Sequence, residues 1–131
     1  MRPIPTTIHT GLRAKVGDGK SVRVLAPAGA PGEQTLAANR LHLIDGFLGF
    51  GMADVDQLQE GVLTIEQAEY ETNQIDPDPL MLYPRGTSVY WDDALQAITE
   101  DDAAGVNRYA GKITQPRDVN GVVWFILAPQ V

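Results

Sequence analysis

The sequence predicts a mostly β protein: a small antiparallel β-barrel or sandwich with irregular loops and an extended N-terminal arm. Three observations predict it. Short apolar runs such as "KSVRVLA", "TSVYW" and "VVWFILA" recur along the chain. Their β-branched and aromatic residues suit a pleated, half-buried surface. Gly, Pro, Asn and Asp break these runs at close intervals, with 13 Gly and 9 Pro in the chain, and such residues initiate turns. Finally, 131 residues with 44% apolar content suit one domain with a real core.

Residues 1–12, "MRPIPTTIHTGL", read as an arm. Pro3 and Pro5 forbid regular helix, and "TTIHT" is β-prone but short. Such a segment can become a strand on meeting a sheet edge. Gly17-Asp18-Gly19 punctuates, so residues 1–20 form the arm and turn, and 21–131 the β domain. "KSVRVLA" is a strand with Val22 and Val24 on one face. "PAGAPGE", residues 27–33, is an irregular loop.

Residues 34–50 carry apolar residues at both helical and strand spacing. Gly46, Gly49 and Gly51 argue against a long helix and for short strands with a Gly-rich connection. "GVLTIEQAEYETN", residues 61–73, stays open. Thr64 with Gln67 imitates a helix capping box, whereas Val62, Thr64 and Ile65 favour a strand. "DPDP", residues 76–79, is a loop. A strand then runs from Thr87 to Trp91, with a turn at Asp92-Asp93 and a return strand at "QAIT". "DDAAGVN" turns again, "RYAGKIT" is a strand and "QPRDVNG" a hairpin connection. Asn120-Gly121 is a strong turn signal before the closing strand.

That closing strand places Val122, Trp124 and Ile126 on one face and Val123, Phe125 and Leu127 on the other. A half-exposed antiparallel strand should have one polar face, and here neither is. The strand is expected to be covered on both sides, by a second layer of its own domain or by another subunit.

A formal net charge of −7 repels nucleic acid phosphates. The only loose basic cluster, Arg13, Lys15, Lys20 and Arg23, fits a solvated strand pair, and no nucleic-acid partner is expected. Without cysteine the chain lacks disulfides, thiolate nucleophiles and Cys-based metal sites. That points to a protein made in a cytoplasm. No apolar run of signal-peptide or membrane-helix length is visible, and no membrane partner is expected.

Gly19-Lys20-Ser21 imitates the end of a phosphate-binding loop. The pattern needs a first Gly at position 14, which is Ala14, and a following helix; "VRVLAPAGAPG" is a strand and loop. A turn is the better reading. His9 and His42 are the only histidines, and they lack metal-ligand spacing. His9 lies in the arm, and His42 reads as an ordinary hydrogen-bonded residue. Asp76/Asp78, Asp92/Asp93 and Asp101/Asp102 could share a proton or grip a cation if buried together. In predicted turns they instead accept backbone N–H bonds. Ser21 and Ser88, the only serines, show no visible triad partners. Tyr90, Trp91, Tyr109, Trp124 and Phe125 could stack bases, but the acidic charge favours packing. No catalytic, cofactor or metal residues are expected.

The segment "GTSVYWDDALQAIT…GVNRYAGKI…GVVWFIL" resembles a family of small tailed-phage capsid cement (decoration) proteins. Gly86, Val89, Tyr90, Trp91 and Asp92 carry its "VYWD" motif. Thr99, Asn107, Arg108, Tyr109, Ala110 and Gly111 carry the strands that follow it. Upstream, Pro27 to Gly32 and "GFLGFGMADV" resemble the family's opening strands. The likeness runs from about Ser21 to Ala128. It departs at "EQAEYETNQIDPDPLML", where relatives have a plain strand, and in the first 20 residues.

The resemblance implies a mostly β homotrimer bound to the outside of a capsid at three-fold or quasi-three-fold positions. The expected partners are the major capsid protein and the chain itself, and the expected location is the virion. Pro3, Ile4, Pro5, Thr6, Thr7 and Ile8 are then expected to contact the capsid by strand addition, with avidity from several arms. Val122, Trp124 and Ile126 are expected in the trimer interface. Rival readings are a tail or head–tail junction component, a carboxylate-dependent hydrolase using the Asp pairs, and a ligand-binding β-barrel module.

Overall fold

The computed structural model describes residues 19–130. The chain is mostly β and antiparallel, and neither of its two main sheets closes into a barrel. The arm lies outside the described residues.

β1 (Ser21–Leu25) opens the domain, followed by β2 (Gln34–Leu36), β3 (Leu41–Ile44), β4 (Phe47–Gly51), β5 (Val55–Asp56) and β6 (Glu60–Thr64). β7 (Glu69–Thr72), β8 (Ser88–Asp92), β9 (Ala97–Thr99), a single 3-10 turn at Ala103–Gly105, β10 (Arg108–Gln115) and β11 (Val123–Leu127) complete it. A four-stranded sheet has the order β1-β6-β4-β3, and a five-stranded sheet has the order β7-β11-β10-β8-β9. β2 and β5 form a two-stranded ribbon.

The four-stranded sheet is the middle layer. On one side its Leu41 and Leu48 join Val89, Trp91, Ile98, Ile113, Val123, Phe125 and Leu127 in the larger core. On the other, Val24, Ile44 and Leu63 pack with Leu36 of the ribbon in a second core. At β3 and β4 both faces are apolar because both are covered, whereas at the outer strand β1 the face bearing Ser21, Arg23 and Leu25 is exposed. Phe50 and Tyr70 stack with ring centroids 4.6 Å apart, and Phe125 lies 6.3 Å from each. This aromatic trio ties the two large sheets together.

Local chemistry sets the hairpins. β3 turns into β4 through Asp45-Gly46, whose φ values of 53° and 84° give the two-residue turn that matches strand twist. Asp45 also accepts the Leu25 amide at 2.9 Å, which locks β1 to the turn. At the β10–β11 connection, Asp118 accepts the amides of Asn120 and Val122 ahead of Gly121 at φ 74°. Residues 61–73 form strands, not a helix. β6 is held by β1 and β4, and β7 by β11, so ladder pairing overrides the capping-box imitation.

The loop through "DPDPLMLYP" is well anchored. Asp76 and Asp78 each accept an amide two residues on. Tyr83 is fully buried at φ 50° and donates its hydroxyl to the Asp76 carbonyl at 2.9 Å. Burial first, then the charges of Asp76 and Glu100, pushes that phenol far above its ordinary range. Arg117 donates to the carbonyls of Asp78 and Met81 at 3.0 and 3.1 Å.

Candidate functional site

Strand alternation divides β11 cleanly. Val123, Phe125 and Leu127 are fully buried, while Trp124 and Ile126 on the opposite face stay 43% and 44% exposed. Among the described residues, the second layer of the domain therefore covers one side of this strand and leaves the other half-exposed. Val122 precedes β11, half-buried in the hairpin turn. Its amide and carbonyl bind Asp118, which fixes its backbone in the turn.

Cross-strand register assembles the open face. Ile126 pairs with Lys112, and Trp124 with Gln115. Lys112 pairs in turn with Ser88, and Tyr109 with Tyr90. The two tyrosine rings sit 5.9 Å apart, and Tyr109 is 42% exposed. A bulge between Tyr109 and Gly111 keeps Tyr109 and Lys112 on the same side. Glu69 and Glu71 of the edge strand β7 flank Ile126 and Trp124. The surface thus has an aromatic and aliphatic centre with charges beside it, the composition of a protein–protein contact. A contiguous apolar patch on an exposed sheet face is a candidate interaction surface.

A second feature lies around the corner of β7. An open cleft of about 520 Å³ runs between β7 and the four-stranded sheet, lined by Asn39, Phe50, Met52, Thr64, Tyr70 and neighbours. Phe50 and Tyr70 stack in its lining. Burial and the nearby Glu66 charge raise the Tyr70 phenol above its usual range.

The other sequence candidates stay apart. Asp92 accepts the amides of Ala94 and Leu95. Asp93 accepts the Trp91 indole N–H at 3.1 Å and the Gln96 side-chain amide. Asp101 and Asp102 accept the amides of Ala103 and Ala104. Each carboxylate is occupied with its own turn. His42 is half-buried, its Nε2 lying 3.1 Å from the Ala37 amide. Burial lowers its pKa, against the raising effect of the Ala37 hydrogen bond. Among the described residues no hydrogen bond joins His42 to Ser21 or Ser88. No group of three or more His, Cys, Asp or Glu among them could hold a metal ion, and none of their helices is long and apolar enough to cross a membrane. Pro3 to Ile8 lie outside the described residues.

Two residues that the sequence did not single out hold the layers in register. Gln74 and Gln130 place buried or half-buried side-chain amides against the backbones of Leu41 and Leu48. Their only sequence signal is a lone Gln beside an apolar strand, which is too common to find them by. No protein-family model, curated protein or solved structure matches this chain.

Proposed function

We propose that this chain is a virion structural protein that decorates and stabilises the outside of a phage capsid as a homotrimer, at three-fold or quasi-three-fold positions. The supporting observation is the open face of the five-stranded sheet. Trp124, Ile126 and Tyr109 stand half-exposed on a scaffold whose strands are fixed from behind by the larger core. Burying them against a second and third copy removes apolar area worth about 25 cal/mol per Å² from water. The likeness around "VYWD", residues 89–92, supports the same reading. Residues 3–8 then contact the major capsid protein by adding a strand, and three arms per trimer multiply a weak contact. A shell held at its three-fold positions resists outward pressure from packaged DNA.

The test is sedimentation of the purified full chain, alone and with expanded shells. Trp124→Glu with Ile126→Glu should give monomers, and deletion of residues 1–10 should leave trimers that no longer bind shells. Unchanged shell binding by the deletion overturns the arm's role. A ring of six or twelve subunits assigns the chain to a tail or head–tail junction instead.

A further inference from the structure

We propose that the cleft beside β7 is a docking groove for residues 6–10 of the chain's own N-terminal segment, "TTIHT", which adds there as an extra strand. It does not depend on the capsid reading, and it concerns the free subunit.

β7 is an edge strand, paired only with β11. The Leu127 amide donates to the Ala68 carbonyl, and Tyr70 faces Phe125 in register. By alternation the main-chain groups of residues 68, 70 and 72 point to β11, and those of Glu69 and Glu71 point away. Among the described residues no hydrogen bond reaches that outer edge. An unpaired edge is a template for strand addition, and this one borders an apolar floor of Phe50, Met52 and Tyr70.

The first described residues lie beside the groove. The Lys20 carbonyl accepts the Ile65 amide at 2.9 Å, and Ser21 pairs with Thr64, a groove residue. Lys20 also pairs with Glu66 at 3.8 Å, and the Glu66 carbonyl accepts the Tyr70 hydroxyl. Ten residues separate Thr10 from Lys20, a reach of up to about 33 Å. The link is therefore long enough, and an intramolecular strand has a high effective concentration.

The chemistry of the segment fits. Residues 6–10 contain no proline, so every amide can donate. With Ile8 opposite Tyr70, its side chain meets the aromatic floor. Thr7 and His9 then fall opposite Glu69 and Glu71, on the outer face. Residues 1–18 hold three of the ten basic residues, Arg2, Arg13 and Lys15, and one of the 17 acidic ones. Residues 6–10 carry no Lys or Arg themselves, but Arg2, Arg13 and Lys15 flank them, so the surrounding stretch is net basic where it meets a glutamate-bearing edge.

Residue-resolved amide hydrogen exchange on the full chain, without shells, tests this. Glu69 and Glu71 amides should exchange at least about tenfold slower than unpaired amides, an opening cost of about 1.4 kcal/mol or more by the usual factor-of-ten conversion. Ile8→Asp should remove that protection and leave β8 and β10 amides unchanged; deletion of residues 1–10 should do the same. Fast exchange at both glutamates in the unmodified chain overturns the proposal. So does protection that survives both variants. Protection that grows with protein concentration also overturns it, because the occupant is then a second copy's segment.

Discussion

The side-chain amide of Gln74 takes both hydrogen bonds that the backbone of Leu41 offers. Its Oε1 accepts the Leu41 amide at 2.9 Å, and its Nε2 donates to the Leu41 carbonyl at 2.8 Å. The same Nε2 donates to the Gln96 carbonyl at 2.9 Å. Leu41 sits on β3, an edge of the middle sheet, so Gln74 stands where a neighbouring strand would. It also links that edge to the turn before β9. Gln74→Leu leaves these buried groups unpaired, at about 1–3 kcal/mol for each group left without a partner. A loss of roughly 2–6 kcal/mol in chemical denaturation is expected from the two Leu41 groups; a loss below about 0.5 kcal/mol, the level of ordinary surface substitutions, contradicts this role.

Gly111 sets how closely β10 and β11 approach. It adopts φ 151°, and a Cβ there would overlap the carbonyl oxygen of Ile126. The bulge beside it also decides that Tyr109 joins the open face. Gly111→Ala should destabilise the domain by about 2 kcal/mol or more through backbone strain and overlap. It should weaken self-association as well, since the face is carried on these strands. Calorimetry with sedimentation checks both.

Arg117 clamps the 77–82 loop by donating to its carbonyls. That loop carries Leu80 and Leu82, 87% and 66% exposed. Arg117→Ala should cost about 1–2 kcal/mol, toward the low end for hydrogen bonds from a charged donor because the site is partly exposed. Limited chymotrypsin digestion should then cut at Leu80–Leu82 faster than in the unmodified chain, because local opening becomes cheaper than global unfolding. An unchanged cleavage pattern contradicts the clamp.

His42 gives stability a pH dependence of definite sign. Burial, with a smaller contribution from Arg40, holds its folded pKa below 6.5, the unfolded value. Between the two values the unfolded chain binds more protons, so stability rises with pH. The contribution is complete above 6.5 and is lost as pH falls through the folded value. His42→Gln should flatten the difference in unfolding free energy between about pH 7.5 and pH 5.5, a span that brackets an ordinary histidine pKa. An equal difference in both proteins refutes the assignment.

Several elements were legible because local chemistry fixes them. Asn120-Gly121 marks its hairpin, Asp92 and Asp93 their turn, and the alternation of β11 its two faces. Asp45-Gly46 was an equally good hairpin signal that the crowded glycines of residues 46–51 obscured. Residues 34–75 resisted because the middle sheet is covered on both faces. Leu41 packs into one core and Ile44, three residues on, into the other, which erases the period of two.

By itself, the sequence determined the β class, most turns and the doubly apolar closing strand, because these follow from backbone preference and side-chain spacing within a few residues. Tertiary structure alone decided that β1 pairs with β6 about forty residues away, that one face of β11 is half-exposed among the described residues, and that Gln74 and Gln130 complete the middle sheet. Those outcomes depend on which distant groups meet, and short-range pattern carries no record of that choice.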